Sequence, residues 1–176
     1  MRKIMAMIAG CAMSFGTAFG AAAQSADEGP VRNGAKFGDW TLRCVAESVG
    51  QTNCALIQRL AQAETNAFVA EVGLNRANTA EGARTLLVLL TPDGTALNLL
   101  PAYVVDEGEE QVTLNWRTCA SQLCRAAALL TTEQENALKA GGRMVLAYQR
   151  FGAQQPVRLA VSLSGVTAGL NALAGQ

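Results

Sequence analysis

Residues 37–58 read FGDWTLRCVAESVGQTNCALIQ, two patterned runs either side of a polar segment. In the first run Trp40, Leu42 and Cys44 fall on one side of an extended chain, with Asp39, Thr41 and Arg43 on the other. That two-residue period marks a half-buried strand. The run from Cys54, CALIQRLAQ, behaves similarly, so AESVGQTN is the loop between two strands that each carry a cysteine. Those cysteines admit three roles: a redox pair, half of a metal site, or a clamp across a hairpin.

Further along, NAFVAEVGL (66–74) sets Phe68, Ala70, Val72 and Leu74 on one face and predicts a third strand. TLLVLL (85–90) is apolar without interruption, which predicts a central strand covered on both faces. TPDG (91–94) has the residues of a type I turn and is expected to reverse the chain into TALNLL (95–100). The acidic DEGEE (106–110) separates Tyr103–Val105 from VTLNWRTC (112–119), in which Val112, Leu114 and Trp116 share a face, so another hairpin is expected there. In TTEQENALKAGG (131–142), Thr132 is expected to cap a short helix with Glu135 reaching back, and Lys139 and Gly141 to close it. RMVLAYQ and VRLAVSL return to strand character, and GVTAGLNAL places Val166, Leu170 and Leu173 at helical spacing. Short strands at turn-delimited intervals with brief helices predict an all-β, β-sandwich-like single domain with one or two short helices.

The N-terminus bears on the cysteines. Arg2 and Lys3 precede an apolar run from Ile4 to Phe19, followed by Ala21, Ala22 and Ala23, the pattern of a secretory signal peptide (1–23) cleaved near Ala23. Ile8-Ala9-Gly10-Cys11 resembles a lipoprotein cleavage box, but the apolar run before it is too short and continues beyond the cysteine. Residues 24–36 are expected to be a flexible lead-in and 37–176 the domain. About 150 residues remain, enough for one core, with no transmembrane span expected in the mature chain. Loss of Arg2 and Lys3 leaves 12 basic residues against 14 acidic ones, and a near-neutral chain without basic clusters is expected to offer little to nucleic acid or to anionic lipid. Cleavage also removes Cys11 and leaves Cys44, Cys54, Cys119 and Cys124. An even number in an exported chain implies disulfides. Three pairings are possible; Cys44–Cys54 with Cys119–Cys124 is favoured, because each pair brackets a short polar segment between strand-like runs.

The chain contains no histidine, which removes the commonest general base, the Ser-His and Cys-His nucleophiles and the commonest zinc ligand. Carboxylate pairs of the glycosidase kind lack an aromatic platform, since only 5% of residues are aromatic. CASQLC spaces its cysteines too widely for a thioredoxin-type C-x-x-C, although Arg117 and Arg125 flank it. The wide first pair and the oxidising compartment argue against zinc, and the acidic tip lacks EF-hand spacing. No catalytic residue, metal or cofactor is therefore expected, and Trp40 and Trp116 are assigned to the core.

Together, NGAKFGDWTLRC, CALIQRL, WRTCASQLCRAAALL, ALKAGGRMVLAYQ and PVRLAVSLSGVTAGLNAL resemble the invasion-associated locus B family of exported bacterial proteins. The likeness spans Asn33 to Leu173 and is least distinctive over 77–110. It implies a periplasmic or envelope-associated protein of a Gram-negative cell, a β-sandwich-like domain and no enzymatic mechanism. The family name records a link to host-cell invasion. The expectation is a non-enzymatic, disulfide-stapled envelope protein acting through contacts with an envelope or host protein. The alternatives are a carrier of a small apolar ligand within the sandwich and a thiol-disulfide enzyme.

Overall fold

The computed structural model describes residues 32–175. The expected signal peptide with its cleavage near Ala23, Cys11 and most of the expected lead-in lie outside the described residues. In chain order the elements are β1 (Lys36–Phe37), β2 (Trp40–Ser48), β3 (Gln51–Ala61), β4 (Phe68–Thr79), β5 (Gly82–Pro92), β6 (Ala102–Val105), β7 (Val112–Thr113), β8 (Asn115–Ala120), β9 (Leu123–Leu129), α1 (Thr132–Ala140), β10 (Arg143–Tyr148), β11 (Val157–Ser162) and α2 (Val166–Ala174). A seven-stranded sheet has the order β1-β2-β3-β4-β5-β9-β8, and a four-stranded sheet the order β11-β10-β6-β7. All strand pairs are antiparallel. The all-β, sandwich-like class read from the sequence is the class observed, with two short helices.

Strand alternation builds the core. Trp40, Leu42, Leu56, Val72, Leu74, Leu87 and Leu89 of the large sheet are fully buried in one cluster with Met144, Leu146 and Val161 of the small sheet, Leu138 of α1 and Leu170 of α2. Each such aliphatic side chain contributes about 1.5–3 kcal/mol by leaving water. Helix α2 sits close against β3, where a Cβ on Gly169 would lie 2.4 Å from Leu56 Cδ1. One carbonyl bridges the layers: Ser162 O accepts from Trp40 Nε1 (2.9 Å) and from Gln58 Nε2 (3.1 Å), while Ser162 N donates to Gln58 Oε1 (3.0 Å). The buried Gln58 amide thereby satisfies both its polar atoms and ties β3 to the end of β11.

Six local expectations are corrected. AESVGQTN is not a loop: β2 runs to Ser48 and β3 begins at Gln51, so only Val49 and Gly50 form the turn. The sheet takes in the end of the expected lead-in: β1 begins at Lys36, Gly34 N donates to Leu42 O and Cys44 N to Asn33 Oδ1, because the outer edge of β2 needs partners. Residues 95–100 do not form a returning strand. β4 and β9 already hold both edges of β5, and Thr95 Oγ1 bonds Pro92 O and Thr91 Oγ1, so the chain leaves for the other sheet. VTLNWRTC is not one strand: Val112–Thr113 pair with β6, Leu114 N donates to Pro101 O, and from Asn115 the chain pairs with β9. Such sheet-switching corners are how a sandwich closes. The helix cap is one residue earlier than read: Thr131 accepts from Gln134 N and Gln134 Oε1 accepts from Thr131 N, which frees Glu135 for another role. Finally, TLLVLL is covered on one face only. Leu87 and Leu89 are buried, whereas Leu86, Val88 and Leu90 point outward from the large sheet and are half-buried.

Candidate binding surface

The four cysteines form two disulfides, Cys44–Cys54 and Cys119–Cys124. In each pair the two residues stand directly opposite in register. Cys44 and Cys54 are half-buried against the core edge, and beyond them the β2–β3 arm runs out into solvent, with Val49 fully exposed at its tip. The bond is the last anchored rung of that hairpin. Closing a loop of this length restricts the unfolded chain by about 2.7 kcal/mol. The second bond sits one rung behind a two-residue turn in which Ser121 (φ 50°) and Gln122 (φ 65°) are both left-handed. That geometry suits the strand twist but is costly for residues other than glycine, by about 1–2 kcal/mol each.

The remaining candidates fall into structural roles. Asp106 accepts from Gly142 N (3.2 Å) and Arg143 N (2.9 Å) at the α1–β10 junction, and Glu110 accepts from Gln134 Nε2 at the start of α1, so these two residues of the acidic tip hold the two ends of the helix. Trp40 is fully buried; Trp116 is half-buried with its Nε1 donating to Leu99 O (2.9 Å). Arg117 and Arg125 are exposed beside a cysteine pair that is already bonded. Glu135 accepts from Arg76 Nη1 (2.9 Å) and Thr85 Oγ1 (2.6 Å) and pairs with Lys139, which docks α1 on β4 and β5. Burial pushes its carboxyl up, but the bonds from Lys139 and Thr85 and the charge of Arg76 outweigh this and hold it at about 2. The described side chains bring together no nucleophile with a base.

What the fold assembles instead is a surface. Both helices and the small sheet pack on the inner face of the large sheet, and no described element covers the outer one. Across that outer face the register aligns Ile57, Gly73, Val88 and Ala127 in one row, and Ala55, Asn75, Leu86 and Leu129 in the next. Gly73 leaves a dip between them. The resulting hollow is about 290 Å³, with an apolar floor and Arg43, Glu47, Glu71 and Arg125 among its lining residues. Arg43 reaches across β3 to Glu71 at 3.9 Å. The Oδ1 atom of Asn75, also in the lining, is buried without a protein hydrogen-bond partner. An apolar floor and a rim that carries charges of both signs suit a partner that brings apolar side chains and complementary charges. Sequence reading missed Ala55, Ile57, Gly73, Asn75 and Val88 as surface residues. The available signal was the uninterrupted TLLVLL flanked by strands whose outward positions carry Arg43 and Glu71.

Fold and surface define a class: a disulfide-clamped β-sandwich with an exposed, partly apolar sheet face. Within that class, the family model for invasion associated locus B (IalB) protein matches residues 40–174, and the chain belongs to this family. It is also similar to the crystal structure of invasion associated protein B from Bartonella henselae, at 24% identity and a TM-score of 0.66, over 80% of this chain and 94% of that one. That likeness bears on the fold. None of the curated proteins compared matches the chain.

Proposed function

We propose that the protein is exported by its signal peptide to the periplasm or envelope of a Gram-negative cell. There it acts without catalysis, by binding another envelope or host protein through the outer face of its seven-stranded sheet. One observation carries this reading: a strand whose sequence suits burial on both faces, Thr85–Leu90, presents Leu86, Val88 and Leu90 to an uncovered side. Apolar sheet faces of this kind are completed by a partner. The disulfides suit an oxidising compartment and the absence of histidine suits a role without acid–base chemistry. The buried side chains of the cluster occupy the interior that a carrier would need for its ligand.

The test is site-specific photo-crosslinking in the native envelope from Val45, at the rim of the hollow, with Val49 at the hairpin tip as control. A discrete adduct is expected from Val45 and not from Val49. Gly73→Val should abolish it by filling the dip; a Cβ at Gly73 meets only ordinary contacts, the nearest at 3.8 Å, and circular dichroism verifies that the variant is folded. Adducts of equal strength from both positions, or an adduct indifferent to Gly73→Val, count against the sheet face. Export is checked by intact mass: a mature chain beginning near Gln24 is expected, and a diacylglycerol-modified Cys11 would overturn the signal-peptide assignment.

A further inference from the structure

Eight large apolar side chains are exposed among the described residues, and five of them, Leu97, Leu99, Leu100, Leu123 and Phe151, lie on three adjoining connections. Backbone bonds tie these connections into one end of the molecule. Asp93 N donates to Gln122 O (2.9 Å), Phe151 N to Gly94 O (2.8 Å) and Ala96 N to Gln149 O (2.9 Å), and Trp116 Nε1 holds Leu99 O. Phe151 is 83% exposed and the three leucines of the 93–101 connection are about half exposed, on segments that β-hairpins and these bonds hold in place.

The charge of these three connections is one-sided. Apart from Arg125, which lines the sheet hollow, segments 93–101, 117–124 and 149–158 contain Arg117, Arg150 and Arg158 against a single acid, Asp93, a formal +2 in a chain whose total is zero. None of these three arginines takes part in a salt bridge among the described residues. The contrast with the sheet hollow is informative, because there Arg43 is paired with Glu71. Aliphatic and aromatic tips set among unpaired arginines match the interface of an anionic bilayer, where apolar groups enter the acyl boundary and guanidinium groups meet phosphates.

We infer that this end docks the protein on an anionic phospholipid membrane, with Phe151 and the 97–100 leucines as the inserted tips and the arginines on the headgroups. Docking there uses a surface separate from the sheet hollow and is independent of the protein partner proposed for it.

The test is flotation of the mature, disulfide-bonded protein with mixed phosphatidylethanolamine–phosphatidylglycerol vesicles, and with phosphatidylcholine vesicles as the uncharged comparison. Binding to the anionic vesicles only is expected, weakening as salt is raised. Phe151→Ser should weaken it about tenfold, and Arg150→Glu and Arg117→Glu each by at least about fivefold. Circular dichroism and the intact disulfides verify that each variant is folded. Failure to float with either vesicle, or flotation that Phe151→Ser leaves unchanged, overturns the inference. So does concentration-dependent dimerisation abolished by Phe151→Ser, which would make a second copy the cover of this end. The Val45 cross-link is indifferent to all of these results, so the two readings fail separately.

Discussion

Gly38 and Gly165 face each other across the joint between the start of the domain and its end. Both are left-handed, at φ 56° and 91°, and a Cβ on Gly165 would lie 2.0 Å from Phe37 O while one on Gly38 would lie 2.4 Å from Ser164 O. Asp39 N donates to Ser164 O (3.2 Å) and the Trp40 indole to Ser162 O (2.9 Å). The Gly-Asp-Trp and Ser-Leu-Ser-Gly segments of the family resemblance are therefore two halves of one structural joint.

That contact predicts a graded response to alanine. Gly50 is also left-handed, at φ 78°, but has open space around it, so Gly50→Ala should cost only about 1 kcal/mol for the backbone conformation. Gly165→Ala adds a collision with backbone and should cost about 3 kcal/mol or more. Urea midpoints of the two variants measure the difference. Equal midpoints would mean that the joint can open without loss.

A second prediction concerns the α1 cap. Thr131→Ala removes the side chain that accepts from Gln134 N and should destabilise by about 1 kcal/mol. Thr132, one residue into the helix, makes no cap bond, and Thr132→Ala should change stability by no more than about 0.5 kcal/mol. Thermal unfolding of the two variants decides the register; the reverse order would restore the later cap read from the sequence.

These two cases show what the sequence makes legible. Alternation at Trp40–Cys44 and Val157–Leu163 exposes which side chains enter the core, because a strand's period is local and strict. The cap at Thr131 was misplaced because TTEQE satisfies the same pattern in two registers, and only the docking of Glu135 on Arg76 and Thr85 selects one. Thr85–Leu90 departs from its pattern for a different reason. Its apolar run reports what the strand is suited to touch, whereas the open outer face depends on which way seven strands, two helices and a second sheet pack, and that is a property of the whole chain. The pairing of sheet edges, which excludes residues 95–100 from β5, is likewise non-local.

Tyr103 supplies a third prediction. Its ring is 2% exposed in the core and its hydroxyl is buried with no protein hydrogen-bond partner, while burial, then the charge of Glu110, pushes its ionisation well up. Removing an unsatisfied buried hydroxyl relieves its desolvation cost without opening a cavity. Tyr103→Phe should therefore leave stability unchanged or raise it by up to about 1 kcal/mol, read from urea denaturation. A loss of more than about 1 kcal/mol would reveal a hydrogen-bond partner for the hydroxyl, such as an ordered water.

Glu135 makes stability depend on pH in a definite direction. Its side chain is 15% exposed and its carboxyl is held at about 2, against an ordinary value of 4.5 that applies in the unfolded chain. A lowered folded value means that the unfolded chain binds the proton first, so the contribution is complete above pH 4.5 and is lost as pH falls from there towards 2. Allowing for solvent screening, it is worth about 1–2 kcal/mol. Glu135→Gln keeps the shape but leaves Arg76 and Lys139 without their shared anion. The variant should be less stable than the parent by that amount near neutral pH, and the two urea curves should converge as pH approaches 2. A gap that stays constant across this range would locate the effect of the substitution in packing or hydrogen bonding, not in the charge of Glu135.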